Sequence, residues 1–181
     1  MKLIKKIFIF LIFLAVAFFS LGFLFPSYSF DNSVTVSSPL VHSFPVFTDI
    51  SKMPKWMDGF RKIESISGLP FQIGSKWRLT INKDGKDEVM IQTFTQYKKF
   101  EEFSFFIEND MFSNDVHIIF SEKDGKTIIT VHNKFSGKNM FWRSVFVLTH
   151  SRIKNSQQEM YDGLKKVIEE TPLMGAPTNG Q

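Results

Sequence analysis

The sequence predicts an α+β domain in which consecutive antiparallel strands form one sheet and a long helix lies across its apolar face. Three observations predict it. The segment Asn139 to Glu170 has no proline, and Ile153, Gln157, Met160, Leu164 and Val167 climb one face in steps of three and four. Between Phe60 and Phe135, short runs of alternating apolar and polar residues are separated by turn-forming residues. A helix with one apolar stripe, arriving after such strands, needs the sheet's apolar face, and the sheet needs the helix.

The N-terminus is different in kind. Lys2, Lys5 and Lys6 precede the uncharged run Ile7 to Phe25. At 1.5 Å per residue that run spans roughly 29 Å, the thickness of a bilayer's hydrocarbon core. Residues 1–30 are therefore expected to be a transmembrane anchor or a signal peptide. The length of the run favours an anchor, whereas Ser27-Tyr28-Ser29 offers small residues for cleavage after Ser29. The lysines keep the N-terminus cytoplasmic, which places the rest on the extracytoplasmic side, in a periplasm or at a cell surface, or secreted if cleaved.

Residues 31–170 form the expected domain. Ser33 to Ser38 alternates and reads as a first strand. Ser38-Pro39 then starts a short helix, Leu40 to Thr48, expected to turn Val41, Phe44, Phe47 and Ile50 inward. Pro45 inside it predicts a kink or a break. A second short helix, Lys52 to Met57, carries Pro54 in its first turn, with Trp56 and Met57 as its buried residues. Further strands follow at Phe60 to Ser67, Lys76 to Asn82, Glu88 to Tyr97, Phe100 to Glu108, Ser113 to Ser121 and Thr127 to Phe135. Lys83-Asp84-Gly85-Lys86 and Lys123-Asp124-Gly125-Lys126 are hairpin turns. Thr171-Pro172 closes the long helix, and the tail 171–181, with Pro and Gly and no pattern, is expected to be disordered.

Composition excludes several functions. There is no cysteine, hence no disulfide, thiolate nucleophile or cysteine-ligated zinc. Setting aside the three N-terminal lysines leaves 19 cations against 18 carboxylates, a balance that argues against nucleic-acid binding. Phenylalanine is abundant, with 14 of 22 beyond residue 30.

The segments VTVSSPLVHSFPVFTDISKMPKW and GLPFQIGSKW resemble the START-like, or SRPBCC, superfamily, which includes the birch-pollen-allergen fold and the polyketide cyclase/dehydrase-like proteins. Pro39, Phe47, Asp49, Pro54, Trp56 and Gly74 carry the resemblance, which spans residues 33 to 170. Pro45 departs from the family's uninterrupted first helix. The resemblance implies a helix-grip fold: a seven-stranded curved antiparallel sheet around the long C-terminal helix, with two short helices after strand 1 closing one end. It also implies a cavity suited to lipids, sterols, polyketides or other apolar molecules.

The candidate cavity residues are Trp77, Leu79, Val89, Ile91, Phe103, Phe105, Ile118, Phe120, Met160 and Leu164, a set that would equally pack a filled core. A two-residue Asp-Gly turn puts His117 opposite His132, Ile118 opposite Val131 and Phe120 opposite Ile129, whereas a three-residue loop puts His132 opposite Val116. The first is favoured, because apolar residues then face one another. Two histidines without a third ligand read as an exposed pair rather than a metal site, and no cofactor is expected. Glu101, Glu102, Glu108, Asp110 and Asp115 read as edge and loop charges, Asp49 as a helix cap, and Arg78 as facing water, the alternative being that it reaches into the cavity toward an anionic ligand head. Met140 to Leu148 is apolar nearly all round: a buried helix start, the lid of the cavity, or a patch that touches a bilayer. The expected function is binding of an apolar small molecule or lipid by a membrane-anchored monomer. The rivals are a cyclase/dehydratase-like enzyme, for which His150 and Tyr161 are the acid or base candidates, and a non-catalytic interaction domain.

Overall fold

The structure, a computed structural model, describes residues 2–173. An N-terminal helix α1 (Lys2–Leu24) leads into β1 (Tyr28–Val36), α2 (Leu40–Thr48) and, after a 3-10 turn at Ile50–Lys52, α3 (Met53–Trp56). Six strands follow: β2 (Phe60–Ser67), β3 (Lys76–Lys83), β4 (Lys86–Lys98), β5 (Glu102–Glu108), β6 (Phe112–Lys123) and β7 (Lys126–Gly137). The long helix α4 (Met140–Glu170) closes the domain, capped by the Asn139 side chain, which accepts from the Trp142 amide.

All seven strands join one antiparallel sheet in the order β1-β7-β6-β5-β4-β3-β2, the helix-grip architecture. The two KDGK turns set its two tightest hairpins. Asp84 and Asp124 have φ of 52° and 53°, and each is followed by a glycine at positive φ. Two central residues at positive φ match the right-handed twist of the strands they join. The second turn therefore pairs His117 with His132, Ile118 with Val131 and Phe120 with Ile129, as the two-residue loop requires. An extra residue, Thr95, sits in β4 between the pairings of Phe94 and Gln96 and locally bends that strand.

The concave face of the sheet and the inner face of α4 share one core, which holds Val36, Ile118, Ile129, Val131, Leu164 and Ile168 at 0–1% exposure. The helix face is broader than expected. Tyr161 and Ile168 are buried with Leu164 and Val167, while Ile153, Gln157 and Met160 are half-buried.

Several local expectations need correction. The first strand begins at Tyr28, not Ser33, because the Tyr28 ring packs on Phe135 (5.5 Å between ring centres) and continues the pairing with β7. In α2 the buried residues are His42, Ser43, Phe44, Val46 and Phe47, whereas Val41 points outward (66% exposed); Ile50, beyond the helix, borders the interior while 41% exposed. Pro45 does not break α2. The carbonyl it leaves without a helical donor belongs to Val41, on the side facing solvent, where water can satisfy it. The second short helix is divided into the 3-10 turn and the single turn of α3. From residue 174 onward the expectation for the tail lies outside the described residues.

Gly59, between α3 and β2, has φ of 71°, and a Cβ there would collide with the Asn82 carbonyl oxygen. Its own carbonyl accepts from the Asn82 amide at 2.7 Å, tying β2's start to the end of β3. Gly59→Ala is expected to lower stability by about 1–3 kcal/mol, read from urea titration of tryptophan fluorescence.

Candidate functional site

Between the concave sheet and the segments that cover its β2-side half lies a small hollow, of about 90 Å³. Its bore is narrow, so a guest larger than a small ring compound requires the wall to move. The floor comes from Trp77 on β3, Gln92 and Phe94 on β4, Phe103 and Phe105 on β5, and Ile118 on β6. Met160 and Tyr161 of α4 form one wall, and Phe47 with Met53, Trp56 and Met57 forms another. The β2–β3 loop adds Pro70 and Phe71 to the lining.

The walls are mostly rings. Phe71 stacks on Tyr97 at 4.9 Å, Phe94 meets Phe103 edge-on at 5.2 Å, and Phe47 meets Phe103 edge-on at 5.1 Å. Phe71 has φ of 62°, a conformation that a bulky residue adopts only under constraint. The constraint is visible: the loop is stitched to β4 by Gly74 and Phe94, whose amides donate to the Phe94 and Ser75 carbonyls. Met53, Met57 and Met160 supply the adaptable part of the wall, since unbranched thioether chains repack at low cost.

No carboxylate, histidine, lysine or arginine lines the hollow among the described residues; its polar side chains are Thr48, Gln92, Tyr161 and the indoles of Trp56 and Trp77. Tyr161 is 4% exposed, and burial pushes its pKa well above the ordinary tyrosine value. It therefore stays a neutral phenol, a hydrogen-bond donor and not a base. His150 is exposed on α4, with Nδ1 2.7 Å from the Val147 carbonyl oxygen, and does not line the hollow.

Of the ten residues expected around the cavity, Trp77, Phe103, Phe105, Ile118 and Met160 line it. Leu79, Phe120 and Leu164 are buried but pack in the solid part of the core. Val89 and Ile91 are on the wrong face: the β3–β4 register pairs Leu79 with Met90 and Trp77 with Gln92, which turns Met90, Gln92 and Phe94 inward. Val89 is correspondingly exposed on the outer surface. Sequence reading missed Phe47, Phe71 and Gln92 as lining residues; the glycines at 68 and 74 around Phe71 were the available signal.

The remaining candidates fall outside the hollow. His117 and His132 lie on the sheet's outer face, 2.8 Å from carboxylate oxygens of Glu102 and Asp31 respectively. No group of three potential metal ligands occurs among the described residues. Glu102 is not a free edge charge. It is mostly covered and receives hydrogen bonds from Gln96 and Ser104 as well as approaching His117. Arg78 is exposed. Asp49 caps the 3-10 turn: the Ser51 hydroxyl (2.6 Å) and amide (2.9 Å) donate to it and hold its pKa below the usual carboxylate range. The stability from this link is present above the ordinary aspartate range and is lost as pH falls through the lowered pKa.

No family model matches the sequence, and no curated protein matches it significantly. Solved structures do match. The allergen Ara h 8.0201 superposes with a TM-score of 0.66 at 16% identity, covering 80% of this chain and 99% of its own. The Zhui aromatase/cyclase of a Streptomyces species gives 0.65 at 12% identity, covering 83% and 99%. A protein of Thermus thermophilus gives 0.64 at 10% identity, covering 78% and 97%. The chain shares the helix-grip α+β fold of these structures, and among the described residues one apolar helix, α1, is long enough to cross a membrane.

Proposed function

We propose that the chain is a membrane-anchored, extracytoplasmic domain that takes an uncharged apolar small molecule or lipid into its hollow, acting as a monomer. The observation that carries this reading is the ring-walled hollow, partly open to solvent, with no ionisable group in its lining except Tyr161. Binding there is driven by apolar burial, about 25 cal/mol per Å² before ordering costs, with Gln92 and Tyr161 able to orient a carbonyl or hydroxyl on the guest. The test is mass spectrometry of molecules extracted from the purified protein. A recurring apolar compound in near-stoichiometric amount supports the reading, and protein that is empty under every preparation opposes it.

Charge gives the reading a sharper edge. The hollow shares Trp56, Met57 and Met160 with an outer groove that carries Asp58, Asp84, Glu88 and Glu159 against Lys83. A carboxylate guest would sit beside those carboxylates and be buried without a cation. A fatty alcohol is therefore expected to bind more tightly than the fatty acid of equal length, measured by displacement of a neutral fluorescent probe at pH 7.5.

Retention of α1 is favoured by the start of β1. Cleavage after Ser29 would remove Tyr28 and Ser29, the first pairs with β7. Intact mass of protein extracted from membranes is expected to include residues 1–29. The three lysines ahead of the span and the absence of charge between Ile7 and Ser29 support an extracytoplasmic domain.

A second reading, a cyclase/dehydratase-like enzyme acting on an apolar substrate, draws on Tyr161 and on the likeness to an aromatase/cyclase. Tyr161 offers a proton donor, and no base faces it from the lining. Simple binding fits the lining better.

A further inference from the structure

We propose that the first turns of α4 lie in the interfacial layer of an anionic bilayer, packed beside α1, so that the domain rests on the membrane in one orientation. This rests on the reading of α1 as a retained span.

The two helices meet closely. The Gly22 amide donates to the Ser144 hydroxyl at 3.0 Å, and that hydroxyl donates to the Met140 carbonyl at 3.0 Å. A Cβ on Gly22 would overlap both the Met140 carbonyl oxygen and the Ser144 hydroxyl. Nearby, the Phe18 and Phe141 rings stand 5.7 Å apart. Small residues on both helices let the backbones approach, as in helix pairs within membranes.

That contact sets a depth. The uncharged stretch runs from Ile7 to Phe25, and Phe25 continues the helix by donating to the Leu21 carbonyl. Centred in a hydrocarbon layer of about 30 Å, this stretch fills it, and Gly22 lies roughly 6 Å below the outer edge. Backbone touching Gly22 reaches the same level, so the start of α4 cannot stand clear of the bilayer.

The surface of α4 agrees. Its exposed large apolar residues, Met140, Phe141 and Leu148, all fall in its first nine positions. Phe141 and Leu148, seven apart, share a face. From Met140 to Gln158 the helix carries Arg143, Arg152 and Lys154 with no carboxylate, whereas Glu159, Asp162, Glu169 and Glu170 follow in the remainder. Exposed apolar residues with cations and no acids suit an interface of anionic headgroups. Trp142 lies at the level where indoles are favoured.

The absence of native cysteine permits a direct test. Single-cysteine variants Phe13→Cys, Phe141→Cys, Leu148→Cys and Val89→Cys, in the full chain, carry a nitroxide label in vesicles of phosphatidylcholine and phosphatidylglycerol. Accessibility to oxygen and to a water-soluble nickel chelate reads depth. The labels at 141 and 148 are expected to favour oxygen several-fold more than the label at 89, approaching the label at 13. Adding Gly22→Leu is expected to move the label at 141 several-fold toward the nickel reagent. If 141 and 148 match 89 while 13 is in lipid, the proposal is overturned and the anchor stands. Shielding of 141 and 148 from both reagents would mean that protein, such as a second copy, covers the patch, and also overturns it. A label at 13 in water defeats the anchor reading and this proposal together.

Discussion

Replacing Leu164 with alanine is expected to lower the unfolding free energy by about 2–5 kcal/mol. Leu164 has 0% exposure and sits where α4 crosses the concave face of the sheet. Its neighbours in the core, among them Ile118, Ile129 and Ile168, are themselves sealed at 0–1% exposure, so the surroundings have little freedom to collapse into the void. Leu164 does not line the hollow, and the loss therefore reads packing and not ligand. The domain from Ser27 onward suits the measurement, because the hydrophobic core cluster contains no residue of α1. Urea titration gives the midpoint; a shift equivalent to less than about 1 kcal/mol would mean that α4 is not clamped as described.

Filling the hollow should have the opposite signature. Met160 is half-buried, lines both the hollow and the outer groove, and belongs to the flexible part of the wall. In Met160→Trp the indole is expected to occupy the bore and weaken binding of a neutral probe such as N-phenyl-1-naphthylamine at least tenfold, about 1.4 kcal/mol. Because the site opens toward solvent, the accompanying change in stability is expected to stay below about 1.5 kcal/mol. Leu164→Ala with its hollow intact should retain probe binding under conditions where it is folded. The two variants thus separate the filled part of the interior from the empty part.

Much of this fold was legible in the sequence, for identifiable reasons. Asp-Gly at both KDGK turns dictates two central residues at positive φ, and that choice alone fixes the pairing of His117 with His132. The long helix announced itself because apolar positions recur over many turns without a proline. The face of β4 did not, since Val89, Met90 and Ile91 are consecutive apolar residues and alternation is silent there. The signal was in the turn: closing Lys83 on Lys86 already pairs Leu79 with Met90, which places Val89 outside. The start of β1 was hidden by the apolar run before it, although Tyr28 and Phe30 alternate with Ser29 and Asp31. The division between lining residues and solid core was not readable at all. Phe120 and Phe105 are chemically alike on neighbouring strands, and only the shape of the lid formed by α3 and the β2–β3 loop leaves space beside one of them.

Methionine methyl resonances test the proposed binding site most directly, because the methyls of Met53, Met57 and Met160 border the hollow while those of Met111 and Met140 lie elsewhere. In the domain from Ser27 onward, labelled with 13C at the methionine methyls, addition of a neutral apolar probe should shift the Met53, Met57 and Met160 signals and leave Met111 and Met140 in place. Shifts confined to Met140, or no shifts at saturating probe, would contradict a binding site in this hollow.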